Sequence, residues 1–295
     1  VKSPATEISP PCDGSGTSAQ NPAAARLRRA LRWGYDLAVT LAMWGYFTVG
    51  FVVLFSPLYL AAAVFSRERE IAFQRLNHYF YRGFFRLLKV LVPGIEWSVD
   101  RRIADIAGAV VVCNHRSYLD PLLLISLFAR HKTIVKHRLF GIPLFGWMLK
   151  SAGYIPSNAR GALAESMLEQ IQALPGYLQK GGVLFVFPEG TRSRDGKLGA
   201  FNPGAFKLAR RCGVPLAVLA VRRTEKLFRP GKFLFNTALR RGPQVRHLAT
   251  LAPEPYADRP LADQMDRVRR ILLADEARPG AEGKPDPVDP NQEMS

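Results

Sequence analysis

Ala109-Val-Val-Val-Cys-Asn-His-Arg-Ser-Tyr-Leu-Asp-Pro-Leu-Leu-Leu124 passes from an apolar run into a polar turn and back into apolar sequence. Residues 109–113 are mostly β-branched and uncharged, the pattern of a strand buried on both faces. Asp120-Pro121 is a helix-start pair, the carboxylate suited to an N-cap and the proline to the first helical position. His115 is therefore expected at the carboxyl end of a strand, and Asp120 at the amino end of the next helix. An imidazole held by a carboxylate through one nitrogen keeps the other free to take a proton from a hydroxyl. The same residues also fit a capping aspartate beside a surface histidine.

Outward from this stretch, strand-like runs recur at 95–99, 132–136, 183–187, 216–221 and 245–251. Helical patterns fall at 121–130, 161–179, 203–212 and 261–273. The alternation predicts an α/β fold with a mixed, largely parallel central sheet flanked by helices. Ligands of such sheets bind beyond the carboxyl ends of the strands, where both His115 and Glu189 fall.

The second informative stretch is Gly182-Val-Leu-Phe-Val-Phe-Pro-Glu-Gly-Thr-Arg-Ser-Arg194, again a buried strand opening into a polar turn. Asn114-His115 with Asp120, followed by Phe187-Pro-Glu-Gly-Thr-Arg-Ser193, resembles the glycerolipid acyltransferase family that includes 1-acylglycerol-3-phosphate acyltransferase. The resemblance extends to Val135-Lys-His-Arg-Leu-Phe-Gly-Ile-Pro-Leu-Phe-Gly-Trp147 and to Gly153–Arg160, and covers about residues 85–255. It implies a mixed α/β domain, with His115 as general base and Asp120 as its orienting partner. It also implies substrate contacts from Asn114, Lys136, Arg160, Glu189, Gly190, Thr191 and Arg192, the basic residues lining a phosphate pocket. The implied donor is an acyl-CoA or acyl carrier protein thioester, and the implied acceptor a lysolipid, with 1-acyl-glycerol 3-phosphate first and a lyso-ornithine lipid or lysophospholipid as alternatives. A catalytically silent lipid-binding protein is a further alternative. No metal or other cofactor is expected, because the thioester supplies the leaving group. The family's fourth motif is altered: Val218 stands where a second proline usually follows Pro215.

Taken by themselves, some of these residues allow two readings. Arg192, in a Gly-Thr turn at a strand end, can fork onto a phosphate or lie on a solvated face. Glu189 can meet a substrate hydroxyl or clamp the Pro-Glu-Gly turn. Cys113, two residues from His115, could form an acyl-enzyme or simply end an apolar strand. Lys207, Arg210 and Arg211 read as a solvated helix face. His78, His131, His137 and His247 show no metal-ligand spacing, and neither do Cys12, Cys113 and Cys212, whose small and odd number fits a reducing compartment.

Across its 295 residues the chain carries 41 Lys and Arg against 24 Asp and Glu, a formal charge of +17 that favours an anionic partner. With 48% hydrophobic residues and no nucleic-acid motif, membrane lipid is the expected partner and nucleic acid is not. Residues 1–25 read as a disordered tail without signal-peptide order, and 276–295 as a second tail. From Leu37 to Phe65 there is no charge, and arginines flank both sides of this run. Pro57 divides it, so residues 26–70 are expected to form a helical anchor that dips as a hairpin into one leaflet, on the cytoplasmic face. Residues 71–94 follow as a basic amphipathic helix suited to an anionic lipid surface, and 95–275 as the acyltransferase domain. Deleting residues 1–70 should then leave a folded domain.

Overall fold

In the computed structural model, residues 22–193, 195–254 and 258–278 are described. The two expected tails lie outside these residues except at their inner ends, where 22–25 belong to the first helix and Glu276 to the last.

Seven strands form one sheet in the order β1-β7-β6-β2-β5-β3-β4. Their ranges are Glu96–Val99, Ala109–Cys113, His131–Lys136, Ile155–Ser157, Val183–Val186, Leu216–Arg222 and Arg241–Leu251 for β1 to β7. Only β6 and β7 pair antiparallel; β2 pairs in parallel with both β5 and β6. The central strands β2, β5 and β6 are buried at every residue, as their unbroken apolar runs require of strands covered on both faces. The short β4 was not legible, because three residues carry no periodicity.

Around the sheet run α4 (Leu119–Leu127), α5 (Phe145–Ser151), α6 (Ala162–Gln179), α7 (Gly204–Cys212), α8 (Thr224–Leu227) and α9 (Leu261–Glu276). Gly213 closes α7 in the left-handed conformation at φ 61°, which glycine adopts without a Cβ clash. The carboxyl edge of β2, β5, β3 and β4 is thereby one continuous rim, and the site is built on it.

The amino-terminal segment departs from the expected hairpin. Residues 22–65 run as one helical rod: α1 (Pro22–Gly45), a π-helical stretch (Tyr46–Phe55) and α2 (Ser56–Phe65). Pro57 does not turn the chain. It sits in the first turn of α2, where a missing N–H is tolerated, and the π register before it absorbs the lost bond. Reversal comes at residues 66–68, and α3 (Arg69–Leu91) is the second arm. Three contacts set the antiparallel pairing of the arms. Tyr35 donates to the Leu91 carbonyl, Tyr46 to the Phe80 carbonyl at 2.8 Å, and Tyr59 to Asn77 at 2.5 Å.

Nor does the packing separate this rod from the sheet at residue 70. Val39, Met43 and Tyr59 are buried in the same core as Phe84, Leu124, Phe185 and Leu219. Asp36 Oδ1 accepts from the Thr237 backbone at 3.0 Å, and Glu70 pairs at 2.8 Å with the fully buried Lys132. Losing the three buried side chains alone removes roughly 1.5–3 kcal/mol each, and Lys132 loses its carboxylate. Contrary to the expectation from sequence, a chain lacking residues 1–70 should fail to fold, visible as lost protease resistance and a lost cooperative melt.

A buried relay joins the rod to the sheet. His131 Nδ1–H donates to the Phe128 carbonyl at 2.7 Å, so its Nε2 accepts from Tyr154 at 2.5 Å. Asn77 donates to the same tyrosine oxygen at 3.1 Å. Burial pushes the His131 imidazole down to about 3, against the upward pull of its bond to Phe128. The unfolded chain binds this proton near pH 6.5 and the folded chain does not, so stability falls as pH drops from 6.5 toward 3. Denaturant unfolding at pH 7 and pH 5 should differ in that direction, by about 2 kcal/mol from this group, because the slope of about 1.4 kcal/mol per pH unit holds only below pH 6.5.

Candidate active site

His115 lies just beyond β2, and its Nδ1 is 3.0 Å from Asp120 Oδ2. Asp120 is fully buried, while the imidazole keeps 17% of its side-chain surface exposed. The carboxylate collects three further donors: Arg116 N–H at 2.6 Å and Ser117 N–H at 2.7 Å on Oδ2, and the Thr224 hydroxyl on Oδ1. With its oxygens accepting from these donors, the carboxylate meets His115 as an acceptor too, which places the imidazole proton on Nδ1 and leaves Nε2 bare. Phe187, at the end of β5, stacks on the imidazole with ring centroids 4.3 Å apart and fixes its plane.

Asp120 does not cap its own helix as expected. The helix begins at Leu119, Tyr118 is the flanking residue, and Asp120 sits in the first turn. Its side chain folds back onto the amides of the preceding turn, because the 115–118 segment would otherwise leave two buried N–H groups unpaired.

Asn114, expected as a substrate contact, is buried in the framework instead. Its amide oxygen accepts from Val221 N–H at 2.8 Å and its amide nitrogen donates to the Val221 carbonyl at 2.9 Å. The side chain thus adds one rung to the β2–β6 ladder past Cys113, and has no acceptor face to offer a ligand.

Glu189 is used on both oxygens. Oε1 accepts the His115 backbone N–H at 3.0 Å and Oε2 accepts the Gly199 N–H at 2.9 Å. A second tie joins the same turns, Ser193 N–H to the His115 carbonyl at 2.9 Å. In this arrangement the carboxylate clamps three segments together. Gly190 carries φ 66° and Thr191 is exposed, so these two residues shape the turn that presents Arg192. The Arg192 guanidinium lies 4.3 Å above the Tyr118 ring and makes no ion pair among the described residues. It is therefore held beside the His115 turn with its N–H edge open.

Lys136 ends β3 and Arg160 follows β4, both exposed on the same rim. No hydrogen bond joins either to the His115 turn among the described residues. Cys113 is fully buried in the core, and burial first, then the Asp120 charge, pushes its thiol well up, so the reactive thiolate is disfavoured. The histidines do not gather: His78 bonds the Ile125 carbonyl, His131 the Phe128 carbonyl, and His247 the Thr250 hydroxyl.

Phe187, Thr224 and Tyr118 were missed from sequence. Thr224 follows the carboxyl end of β6, the neighbour of β2, so the rim rule could have found it. Arg116 also pairs with Glu276 at the end of α9, one residue beyond the expected domain boundary. Asp275 fastens that helix to Arg222 and Arg246, each at 2.6 Å.

Known proteins share this fold and part of this sequence. The sequence model of the family described as Acyltransferase matches residues 95–222. A Brassica napus protein named chloroplastic 1-acyl-sn-glycerol-3-phosphate acyltransferase BAT2 is 38% identical over 122 residues, 41% of this chain and 35% of that protein. The Saccharomyces cerevisiae 1-acyl-sn-glycerol-3-phosphate acyltransferase is 30% identical over 199 residues, 65% of this chain and 63% of its own. The match thus spans about a third to two thirds of these relatives' length. In fold, the chain is similar to the crystal structure of the 1-acyl-sn-glycerophosphate (LPA) acyltransferase PlsC from Thermotoga maritima. The TM-score is 0.63 at 24% identity, covering 85% of this chain and 98% of that one. The stretch that matches the Acyltransferase model, residues 95–222, is the part of the mostly parallel sheet that carries the His115–Asp120 rim.

Proposed function

We propose that this chain transfers a fatty acyl group from an acyl thioester to the free hydroxyl of 1-acyl-glycerol 3-phosphate, giving phosphatidic acid. The observation that carries the reading is the His115–Asp120 pair, set on a rim where Arg192 stands over Tyr118 with its guanidinium edge open. His115 Nε2 takes the acceptor proton as the hydroxyl oxygen attacks the thioester carbonyl. The ester C–O bond forms, the C–S bond breaks, and the imidazolium returns its proton to the departing thiolate. Asp120 supports the imidazolium through Nδ1–H, and Arg192 grips the acceptor phosphate. The donor is acyl-CoA or acyl carrier protein, and no metal or bound cofactor enters the chemistry. Such names as the relatives carry point to the same acceptor.

The membrane side of the proposal rests on the amino-terminal rod. Residues 25–65 form one helix long and apolar enough to cross a membrane, with only 11% of its most apolar window buried. Association with the cytoplasmic face would bring the rim to lysolipid in the leaflet.

Head-group recognition tests the acceptor assignment. Arg192→Lys keeps the charge but loses the planar fork, so the acceptor KM should rise while the donor KM stays nearly unchanged. Arg192→Ala should cost more, roughly 2–4 kcal/mol in kcat/KM, in keeping with losing two charge-assisted bonds. Tyr118→Ala, which removes only the stacking surface, should raise the acceptor KM several-fold and Tyr118→Phe should not. Equal loss for lysophosphatidic acid and for a lysolipid without a phosphate monoester would mean that Arg192 only holds its loop, and a different lysolipid would then be the acceptor.

A further inference from the structure

Arg82, Arg86 and Lys89 follow one another at helical spacing along the exposed face of α3. Together with β1 and α4 they enclose a cleft of about 280 Å³, its other walls including Trp97, Leu123 and Leu127. No acidic residue lines it. Arg82 and Arg86 make no ion pair among the described residues, and Lys89 lies 5.2 Å over the Trp97 ring. None of these residues belongs to the turns carrying His115, Glu189 or Arg192. In the sheet, β1 is separated from β2 by β7 and β6, while α4 leaves the His115 turn at Asp120 and reaches the cleft with Leu123, Ser126 and Leu127.

Three cations above an apolar floor fit a ligand with a phosphate at one end and hydrocarbon at the other. The helix pair says where that ligand comes from. Tyr35 reaches the Leu91 carbonyl, so the amino-terminal half of α1, with Arg26, Arg28, Arg29 and Arg32, meets the same end of α3 that carries the cleft. Beyond Tyr46, which reaches the Phe80 carbonyl, the exposed side chains of the rod include Val49, Val52, Val53 and Leu54. The cleft and the four arginines lie toward one end of that apolar stretch, as head groups lie beside chains in a bilayer. We infer that this cleft binds the phosphate head group of an anionic phospholipid in the membrane to which the rod attaches. The site is separate from the one that takes the acyl acceptor. Occupancy would couple the enzyme to the anionic lipid content of its membrane.

The test uses the full chain and vesicles of phosphatidylcholine, with or without phosphatidylglycerol. One triple variant, Arg82→Gln/Arg86→Gln/Lys89→Gln, empties the cleft of charge. A control, Lys180→Gln/Lys207→Gln/Arg211→Gln, removes the same charge from exposed positions elsewhere. Each cation near an anionic surface is worth on the order of fivefold, so the cleft variant should bind phosphatidylglycerol vesicles about a hundredfold more weakly. Binding to neutral vesicles should not change, and the control should lose far less. Short-chain phosphatidylglycerol should compete with the vesicles, whereas inorganic phosphate and coenzyme A should not at equal concentration. Equal losses in the two variants would reduce the effect to overall charge and overturn the inference. So would competition by coenzyme A, which would make the cleft part of donor binding. Turnover of the cleft variant in neutral detergent micelles should match the unaltered chain; a matching loss there would place the cleft in the reaction and overturn its separate role. That readout also keeps this inference apart from the acceptor assignment, which the Arg192 series tests alone.

Discussion

Replacing His115 by alanine should lower turnover by roughly 10²–10⁴-fold, the range for a positioned general base, while the chain keeps its fold. The side chain is partly exposed and gives one hydrogen bond, to Asp120, whose carboxylate retains three other donors without it. The backbone N–H of residue 115 stays tied to Glu189 in the variant. Circular dichroism and a thermal melt should therefore overlay those of the parent, with the loss confined to kcat. Cys113→Ser is the companion experiment. The thiol is buried and its ionisation disfavoured, so this variant should keep most of its activity. The reverse pattern, with Cys113→Ser inert and His115→Ala active, would establish an acyl-cysteine route in place of base catalysis.

Asp120 should be the more damaging position, because its substitution acts on both stability and chemistry. Asp120→Ala leaves two backbone N–H groups, the Thr224 hydroxyl and His115 Nδ1–H without their acceptor in a fully buried site. At about 1–3 kcal/mol for each buried group left unpaired, the loss should reach several kcal/mol. For a chain of this size that lowers Tm by roughly 10 °C or more. Asp120→Asn keeps the volume but brings an NH₂ against the donors and ends the charge support of the imidazolium. It should melt at an intermediate temperature and lose activity about as fully as His115→Ala. An Asp120→Asn chain that melts like the parent and turns over normally would remove Asp120 from both roles.

The sheet was legible because its strands announce themselves: 109–113, 183–187 and 216–221 are continuous apolar runs with polar turns after them. Reading the turns was harder, since there the spacing shows proximity but not what each atom does. His115 and Asp120 could be paired from their spacing across one turn. That Asp120 caps the preceding turn and not its own helix depends on the 115–118 backbone, which no periodicity encodes. Asn114 resembled a ligand-facing polar residue until its two bonds to Val221 showed a side chain standing in for a ladder rung. Thr224 and Phe187 reach His115 and Asp120 from β6 and β5, and such contacts follow from strand order, which the sequence does not state. The amino-terminal rod failed for a local reason. Pro57 reads as a breaker, yet at the start of α2 it costs no hydrogen bond that the π-helical register cannot absorb.

The most direct measurement offers the purified full chain a panel of lysolipids with both acyl-CoA and acyl carrier protein donors, and identifies the products by mass spectrometry. Phosphatidic acid formed from 1-acyl-glycerol 3-phosphate, in far greater yield than any product from lysolipids lacking a phosphate monoester, is the expected result, and His115→Ala should abolish it. Acylation of a phosphate-free lysolipid in preference, or no transfer from either donor, would contradict the proposed reaction.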